Sequence, residues 1–196
     1  MAEYPLTIVS NRGPAEFGTD ETGQRIVHRG GGGLVTALSG LVSHRKALWI
    51  ASAMTEEDVV VANESDGPVE IDVDGIAYDV QMVASEPVAY DRFYNVIANP
   101  ILWFIQHYLW DLSNAPDIRQ AEVDAWEEGY KVVNDDIADC VIRAIADQEN
   151  PVVMLHDYHL YTCPGKVRKA RPDAVLHYFV HIPWSQPDSW RILPNR

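Results

Sequence analysis

Several polar side chains able to do chemistry stand directly after short apolar runs. Arg12 follows Thr7-Ile8-Val9 and Ser10-Asn11. A guanidinium at a strand end can clamp phosphate or sugar oxygens bidentately. The plain alternative is a surface arginine paired with one of the many carboxylates. Asp157 follows Val152-Val153-Met154-Leu155-His156, and a carboxylate there can accept hydrogen bonds from sugar hydroxyls or serve as a base. It can equally cap the helical turn that follows, and the residue types alone leave both roles open. His156, His159, His177 and His181 raise a metal reading. They sit on separate elements without an H-E-x-x-H pattern, so no metal site is expected. His177 reads as packed in mid-strand, whereas His181, before Ile182-Pro183, is placed to meet a ligand.

Gly30 to Gly33 opens a helical pattern. Backbone N–H groups at such a start can approach an anion, aided by the helix dipole; a flexible loop is the competing reading. The run is not a dinucleotide fingerprint, because Thr36 occupies the last glycine position of G-x-G-x-x-G, and no phosphate-binding G-x-x-x-x-G-K-[ST] occurs. Tyr94 and Trp103, with Asn95 and Asn99 between them, fit a core stripe or a sugar-stacking wall. No serine or cysteine sits in a nucleophile setting such as G-x-S-x-G.

These residues need elements to hold them. The chain predicts buried strands at 7–9, 47–51, 152–155 and 174–180, joined by helices from Leu34, from Pro87 (with Pro100 kinking or splitting it), from about 118 to 148, and from 158 to 169. Residues 15–29 read as a surface loop, 59–61 as a strand, and 69–73 with 76–83 as a hairpin about Asp74-Gly75. A short helical start is expected from Pro187 to Leu193. Strands alternating with helices at both ends argue for an α/β fold, a parallel sheet covered on two faces. In such sheets ligands bind beyond the carboxyl ends of the strands, where Ser10-Asn11-Arg12, His156-Asp157-Tyr158-His159 and His181-Ile182-Pro183 all fall.

Composition narrows the function classes. The 196 residues are 47% hydrophobic and 22% charged, which suits a globular domain large enough to bury roughly 70% of its unfolded surface. A formal net charge of −14 repels phosphodiester backbones, so nucleic acid is not an expected partner. Cys140 and Cys163 lack metal-ligand spacing, and Cys140 lies on the apolar side of its helix. The acidic start has no signal-peptide character, and no apolar run is long enough for a membrane span. A cytoplasmic, soluble protein is expected, and self-association is left open.

Val9-Ser10-Asn11-Arg12, Gly32-Gly33-Leu34, Tyr94-Asn95, Asn99-Pro100-Ile101-Leu102-Trp103 and His107-Tyr108 together resemble the trehalose-6-phosphate synthase family of retaining glycosyltransferases. Trp126, Tyr130, Val133-Asn134, His156-Asp157-Tyr158-His159-Leu160 and His181-Ile182-Pro183-Trp184 continue the match in order. The resemblance implies a GT-B fold, two Rossmann-like domains facing across a cleft. This chain would be the first of them, incomplete and on the acceptor side, with the donor-binding domain absent from it. It further implies that Arg12, Tyr94, Trp103 and Asp157 contact a glucose 6-phosphate acceptor. Gly32 and Gly33 would approach the diphosphate of a donor such as UDP-glucose or GDP-glucose, the co-substrate. Asp157 and His181 would be the catalytic positions, His181 near the anomeric face of the donor glucose. Front-face attack without a protein nucleophile is the family's mode, and no separate cofactor or metal is implied.

Departures from the common pattern are a longer 13–31 loop, the extended glycine run and Trp184-Ser185-Gln186. The tail Asp188-Ser189-Trp190-Arg191 resembles relatives that make other sugar phosphates. Synthesis of glucosylglycerol phosphate, a cyclitol-coupling pseudo-glycosyltransferase and a non-catalytic sugar-phosphate-binding module are therefore the alternatives to trehalose 6-phosphate synthesis.

Overall fold

The computed structural model describes residues 6–31, 33–42, 46–109 and 118–193. A six-stranded sheet runs in the order β5-β6-β4-β1-β7-β8, built from β1 (Leu6–Ser10), β4 (Ala47–Ser52), β5 (Val69–Val73), β6 (Ile76–Val83), β7 (Val152–His156) and β8 (Val175–Phe179). Neighbours are parallel except β5, which joins β6 antiparallel through Asp74-Gly75. Both turn residues adopt positive φ, 55° and 78°, as a two-residue hairpin of this type requires.

β1 and β4 are buried at every position, the mark of parallel strands covered on both faces. Alternation then divides the core. Ile8 and Trp49 face one side with Leu38, Val42 and Val61, held by α1 (Gly33–Val42) and α2 (Glu56–Glu64). Val9, Leu48 and Ile50 face the other with Phe93, Tyr130, Ile137 and Val141. That second layer is one helical run through α3 (Pro87–Asp91), π-helical turns Arg92–Trp103 and α4 (Phe104–Gln106), packed on another through α5 (Gln120–Ala125), π-helical turns Trp126–Tyr130 and α6 (Lys131–Ala144). Where they cross, a Cβ on Gly129 would lie 2.5 Å from the Cβ of Arg92 and 2.9 Å from the amide of Phe93. Only glycine permits that approach.

The structure departs from the sequence expectations in four places. Residues 15–29 form a hairpin, β2 (Ala15–Thr19) with β3 (Arg25–Arg29), instead of a loop. Its polar composition belongs to the exposed positions, while Ala15 and Phe17 are buried. Asp20 Oδ1 organises the turn by accepting from the amides of Thr22 and Gln24. Val59-Val60-Val61 lies in α2 and not in a strand. The β-branched run is outweighed by the reciprocal cap of Thr55 and Asp58 at its start. Asp58 also accepts from the amide of Phe17 at 2.7 Å, tying the hairpin to the helix. Pro100 neither ends nor splits its helix, because the bonding pattern has already widened to the π form around it. His177 is exposed, not packed in mid-strand: β8 is a sheet edge on which Val175, His177 and Phe179 share an uncovered face.

The strand order also places a crevice at the carboxyl edge of the sheet. From β1 the sheet grows toward β4 and β6, and the chain later returns to place β7 and β8 on the opposite side of β1. The ends of β1 and β7 thus flank a topological switch point, where loops diverge and leave a crevice. The 3₁₀ turns Tyr158–Leu160 and Pro187–Ile192 and helix α7 (Cys163–Ala170) complete the described chain.

Candidate functional site

At that switch point lies an open cleft of about 610 Å³, lined by Arg12, Gly33, Tyr94, Trp103, Asp157 and His181. These residues come from the end of β1, the start of α1, the π-helical wall, the turn after β7 and the segment after β8. The structure therefore brings together every site residue expected from the sequence except Gly32, which lies outside the described residues.

Arg12 is set by the strand beneath it. The indole N–H of Trp49 donates to Ser10 Oγ at 2.8 Å, and that hydroxyl donates to the Arg12 carbonyl at 2.6 Å. The guanidinium donates to Tyr94 Oη at 3.3 Å and faces Glu16 at 3.6 Å. Burial raises the Tyr94 phenol's pKa, but the hydrogen bonds and charge from Arg12 and Asn99 outweigh it and hold the group below its ordinary value. Tyr90 donates to Asn11 Oδ1 at 3.2 Å and stacks on Tyr94 with ring centres 6.0 Å apart. Trp103, at the far end of the same wall, covers the His107 ring at 4.1 Å.

The glycine run divides by role. A Cβ on Gly30 would fall 2.2 Å from the Gly13 carbonyl oxygen, so Gly30 serves the packing of the hairpin base. A Cβ on Gly33 would meet nothing within 4 Å beyond its own helix among the described residues. Gly33 opens α1 on the cleft wall, and a helix start favours an anionic group.

Asp157 is a cap and also stands in the cleft lining. Its carboxylate accepts from the Tyr158 amide at 3.0 Å, as a cap, and it lines the cleft. Its backbone is at φ 72° and ψ 166°, a region other residues than glycine occupy at a cost of roughly 1–3 kcal/mol. The surroundings enforce it: the Asp157 amide donates to the Phe179 carbonyl at 2.8 Å, and Tyr178 Oη donates to the Asp157 carbonyl at 2.6 Å. Burial raises the carboxyl pKa against the opposing pull of the Tyr158 amide and His181.

Asn11, Tyr158 and His159, which the sequence put at the strand ends without an individual ligand role, also line the cleft. His159 stacks on Tyr158 at 4.0 Å and on Tyr94 at 5.9 Å. Burial, then Arg12, lowers its pKa to about 3, so it is neutral. Nor did sequence show what pins this turn from below. Tyr130 Oη donates to the Tyr158 carbonyl at 2.7 Å and accepts from the Tyr161 amide at 3.0 Å. Asn134 Nδ2 donates to the His159 carbonyl, and its Oδ1 accepts from the Cys163 amide.

The described residues contain no group of three or more His, Cys, Asp or Glu able to hold a metal ion. Burial pushes the Cys140 and Cys163 thiols up to about 11 and 12, which leaves neither as a thiolate nucleophile near neutral pH. The described lining of the cleft thus offers one cation, one carboxylate, two imidazoles, aromatic faces and a helix start. Such a set can orient a polyhydroxylated anion and stabilise charge as it moves.

Comparison with known proteins agrees. The family model for glycosyltransferase family 20 matches residues 4–196. The validamine 7-phosphate valienyltransferase of Streptomyces hygroscopicus subsp. jinggangensis is 29% identical over 100% of this chain and 39% of its own length. The UDP-forming alpha,alpha-trehalose-phosphate synthase A of Dictyostelium discoideum is 32% identical over 97% of this chain and 24% of its own. Among solved structures, the UDP-forming alpha,alpha-trehalose-phosphate synthase of Burkholderia xenovorans in complex with glucose-6-phosphate superposes with a TM-score of 0.62 at 19% identity, over 96% of this chain and 36% of that one. The chain spans well under half the length of each of these relatives.

Proposed function

The chain belongs to glycosyltransferase family 20, and on that premise we propose that it forms the acceptor-side part of a cytoplasmic enzyme moving glucose, with retention, from a nucleotide sugar to glucose 6-phosphate, giving trehalose 6-phosphate. The observation that carries this reading is the convergence of Arg12, Tyr94, Trp103, Asp157 and His181 on one cleft beside the open start of α1. Arg12 with Tyr94 would hold the acceptor's phosphate or sugar oxygens, Trp103 would cover its C–H face, and Asp157 would accept from its hydroxyls. Gly33, with Gly32 beside it, would approach the donor diphosphate. His181 would meet the donor glucose. Remaining donor contacts would come from a second domain outside this chain, as the greater length of the relatives suggests.

On this reading the protein's residues position and stabilise charge, and the leaving diphosphate helps deprotonate the attacking hydroxyl. A bound glucose 6-phosphate in the Burkholderia relative and the UDP-forming name of the Dictyostelium one support the substrate pair. A second reading is favoured by the valienyltransferase at 29% identity, whose name specifies a cyclitol phosphate acceptor. Incubating the full-length protein with UDP- or GDP-glucose against glucose 6-phosphate, glycerol 3-phosphate and validamine 7-phosphate separates the readings. An α,α-linked disaccharide phosphate supports the first. Product formed from the cyclitol phosphate alone supports the second, and no transfer with any pair defeats both.

A further inference from the structure

Beneath the cleft, the rings of His156 and His181 meet with Nδ1 of the first 3.0 Å from Nε2 of the second. His156 closes β7 and is 2% exposed, whereas His181 stands in the cleft lining after β8. We propose that His156 is a positioning residue whose Nδ1–H donates to Nε2 of His181 and so holds His181 as the Nδ1–H tautomer.

The contact needs one proton between the two nitrogens, and burial decides which ring supplies it. Were His181 the donor, the neutral His156 would carry its own proton on Nε2. That atom is buried and has no hydrogen-bond partner among the described residues, so the arrangement would strand an N–H in the interior. With His156 as donor, the stranded atom is only a lone pair. Buried donors without partners are the rarer and costlier case. A doubly protonated His156 is disfavoured as well, since burial, then the neighbouring His181 and His177, lower its pKa to about 4. The groups facing the pair are the Asp157 carboxylate on the adjoining turn, His177 on β8 and the Phe179 ring, 4.6 Å from His181.

The consequence reaches the cleft. With Nε2 occupied as an acceptor, the ring nitrogen His181 has left for a ligand is Nδ1, and it carries a proton. His181 therefore donates a hydrogen bond to a sugar or phosphate oxygen. It does not act as a base through Nε2, because a proton taken there would confront the N–H of His156. This assignment of a donor to the site rests on the glycosyl-transfer reading above; the tautomer itself does not.

The test separates the two. In protein selectively labelled with ¹⁵N-histidine and studied without substrate, long-range ¹H–¹⁵N correlation reads each ring nitrogen, with His181→Gln identifying the signals. The expected result is a protonated Nδ1 and an unprotonated Nε2 at His181. A protonated Nε2, or signals averaged between tautomers, overturns the proposal whatever the enzyme's substrates prove to be. Kinetics on the full-length protein then give a second readout. His156→Asn keeps an N–H donor at the Nδ1 position, and kcat should stay within about threefold. His156→Asp puts an acceptor there and selects the other tautomer, so kcat should fall at least tenfold, about 1.4 kcal/mol, with acceptor KM held within about twofold. Equal losses in the two variants would overturn the role in positioning.

Discussion

Arg12 and Tyr94, 82 residues apart in sequence, meet at the mouth of the cleft, the guanidinium donating to the phenol oxygen at 3.3 Å. The contact joins the end of β1 to the π-helical wall and leaves Arg12 half-exposed, its charge answered only partly by Glu16. An arginine so held is prepared for an incoming anion at little ordering cost.

Arg12→Ala should raise acceptor KM by about 10- to 100-fold, since a hydrogen bond to a charged group contributes roughly 1.5–3 kcal/mol. Hydrolysis of the donor without acceptor should change little. Tyr94→Phe should give a smaller rise, because it loosens the arginine without removing it. Steady-state kinetics at varied acceptor check both, and an unchanged KM for Arg12→Ala takes the residue out of the site.

The strained backbone of Asp157 can be separated from its chemistry. Asp157→Gly relieves the strain of positive φ, Asp157→Asn preserves the cap, and Asp157→Ala loses the cap while keeping the strain. Thermal stability should therefore be lowest for alanine, with alanine about 1–3 kcal/mol below glycine. All three should lose more than about tenfold in transfer if the charged carboxylate holds sugar hydroxyls. Wild-type activity in the asparagine variant would reduce Asp157 to a cap.

The glycine run makes a paired prediction. Gly30→Ala would drive a Cβ into the Gly13 carbonyl, and should destabilise the hairpin base by about 1–3 kcal/mol. Gly33→Ala meets open space, so the melting temperature should barely move while donor KM rises. Melting curves and donor titrations on the two variants decide. Equal destabilisation would mean that Gly33 is structural too.

His156 and His159 stay neutral in the folded protein to about pH 4 and 3, whereas unfolded histidine binds a proton near pH 6.5. Below that value the unfolded state binds more protons, so stability falls as pH is lowered from about 6.5 toward 4, by up to about 1.4 kcal/mol per pH unit for each histidine. The raised pKa of Asp157 acts with the opposite sign at the acid end, where one carboxyl opposes two imidazoles. Urea midpoints at pH 7 and 5 should differ, and His159→Gln should flatten the difference. A flat profile in the unsubstituted protein would contradict the burial of these rings.

Asn134 is fully buried, and its amide satisfies the His159 carbonyl and the Cys163 N–H of the 157–163 turn, besides the Tyr130 carbonyl on its own helical run. Asn134→Leu strands the two groups of the turn, and should cost about 2–4 kcal/mol. Loss of transfer in the surviving folded fraction would show that the turn, and Asp157 with it, depends on this support. A loss below 1 kcal/mol in a urea titration would argue against it.

Much of this protein is legible in its residue order. Thr7-Ile8-Val9, Ala47–Ala51 and Val152–Leu155 are strands because continuous apolar runs of that length must be covered on both faces. The polar groups that end them fall at the carboxyl edge of a parallel sheet by construction. Local chemistry also placed the Asp74-Gly75 turn and the opening of α1 at Gly33. Other features depend on contacts remote in sequence. Phe17 makes 15–29 a hairpin only because Asp58 and α2 lie beside it, and the triple valine of 59–61 is helical because its cap outweighs its propensity. His177 is exposed because nothing described covers that face of β8. The strain at Asp157, the neutrality of His156 and His159 and the pairing of Arg12 with Tyr94 were likewise decided by the fold. Burial and hydrogen-bond partners are properties of neighbours in space, and a one-dimensional pattern records only those neighbours that share an element.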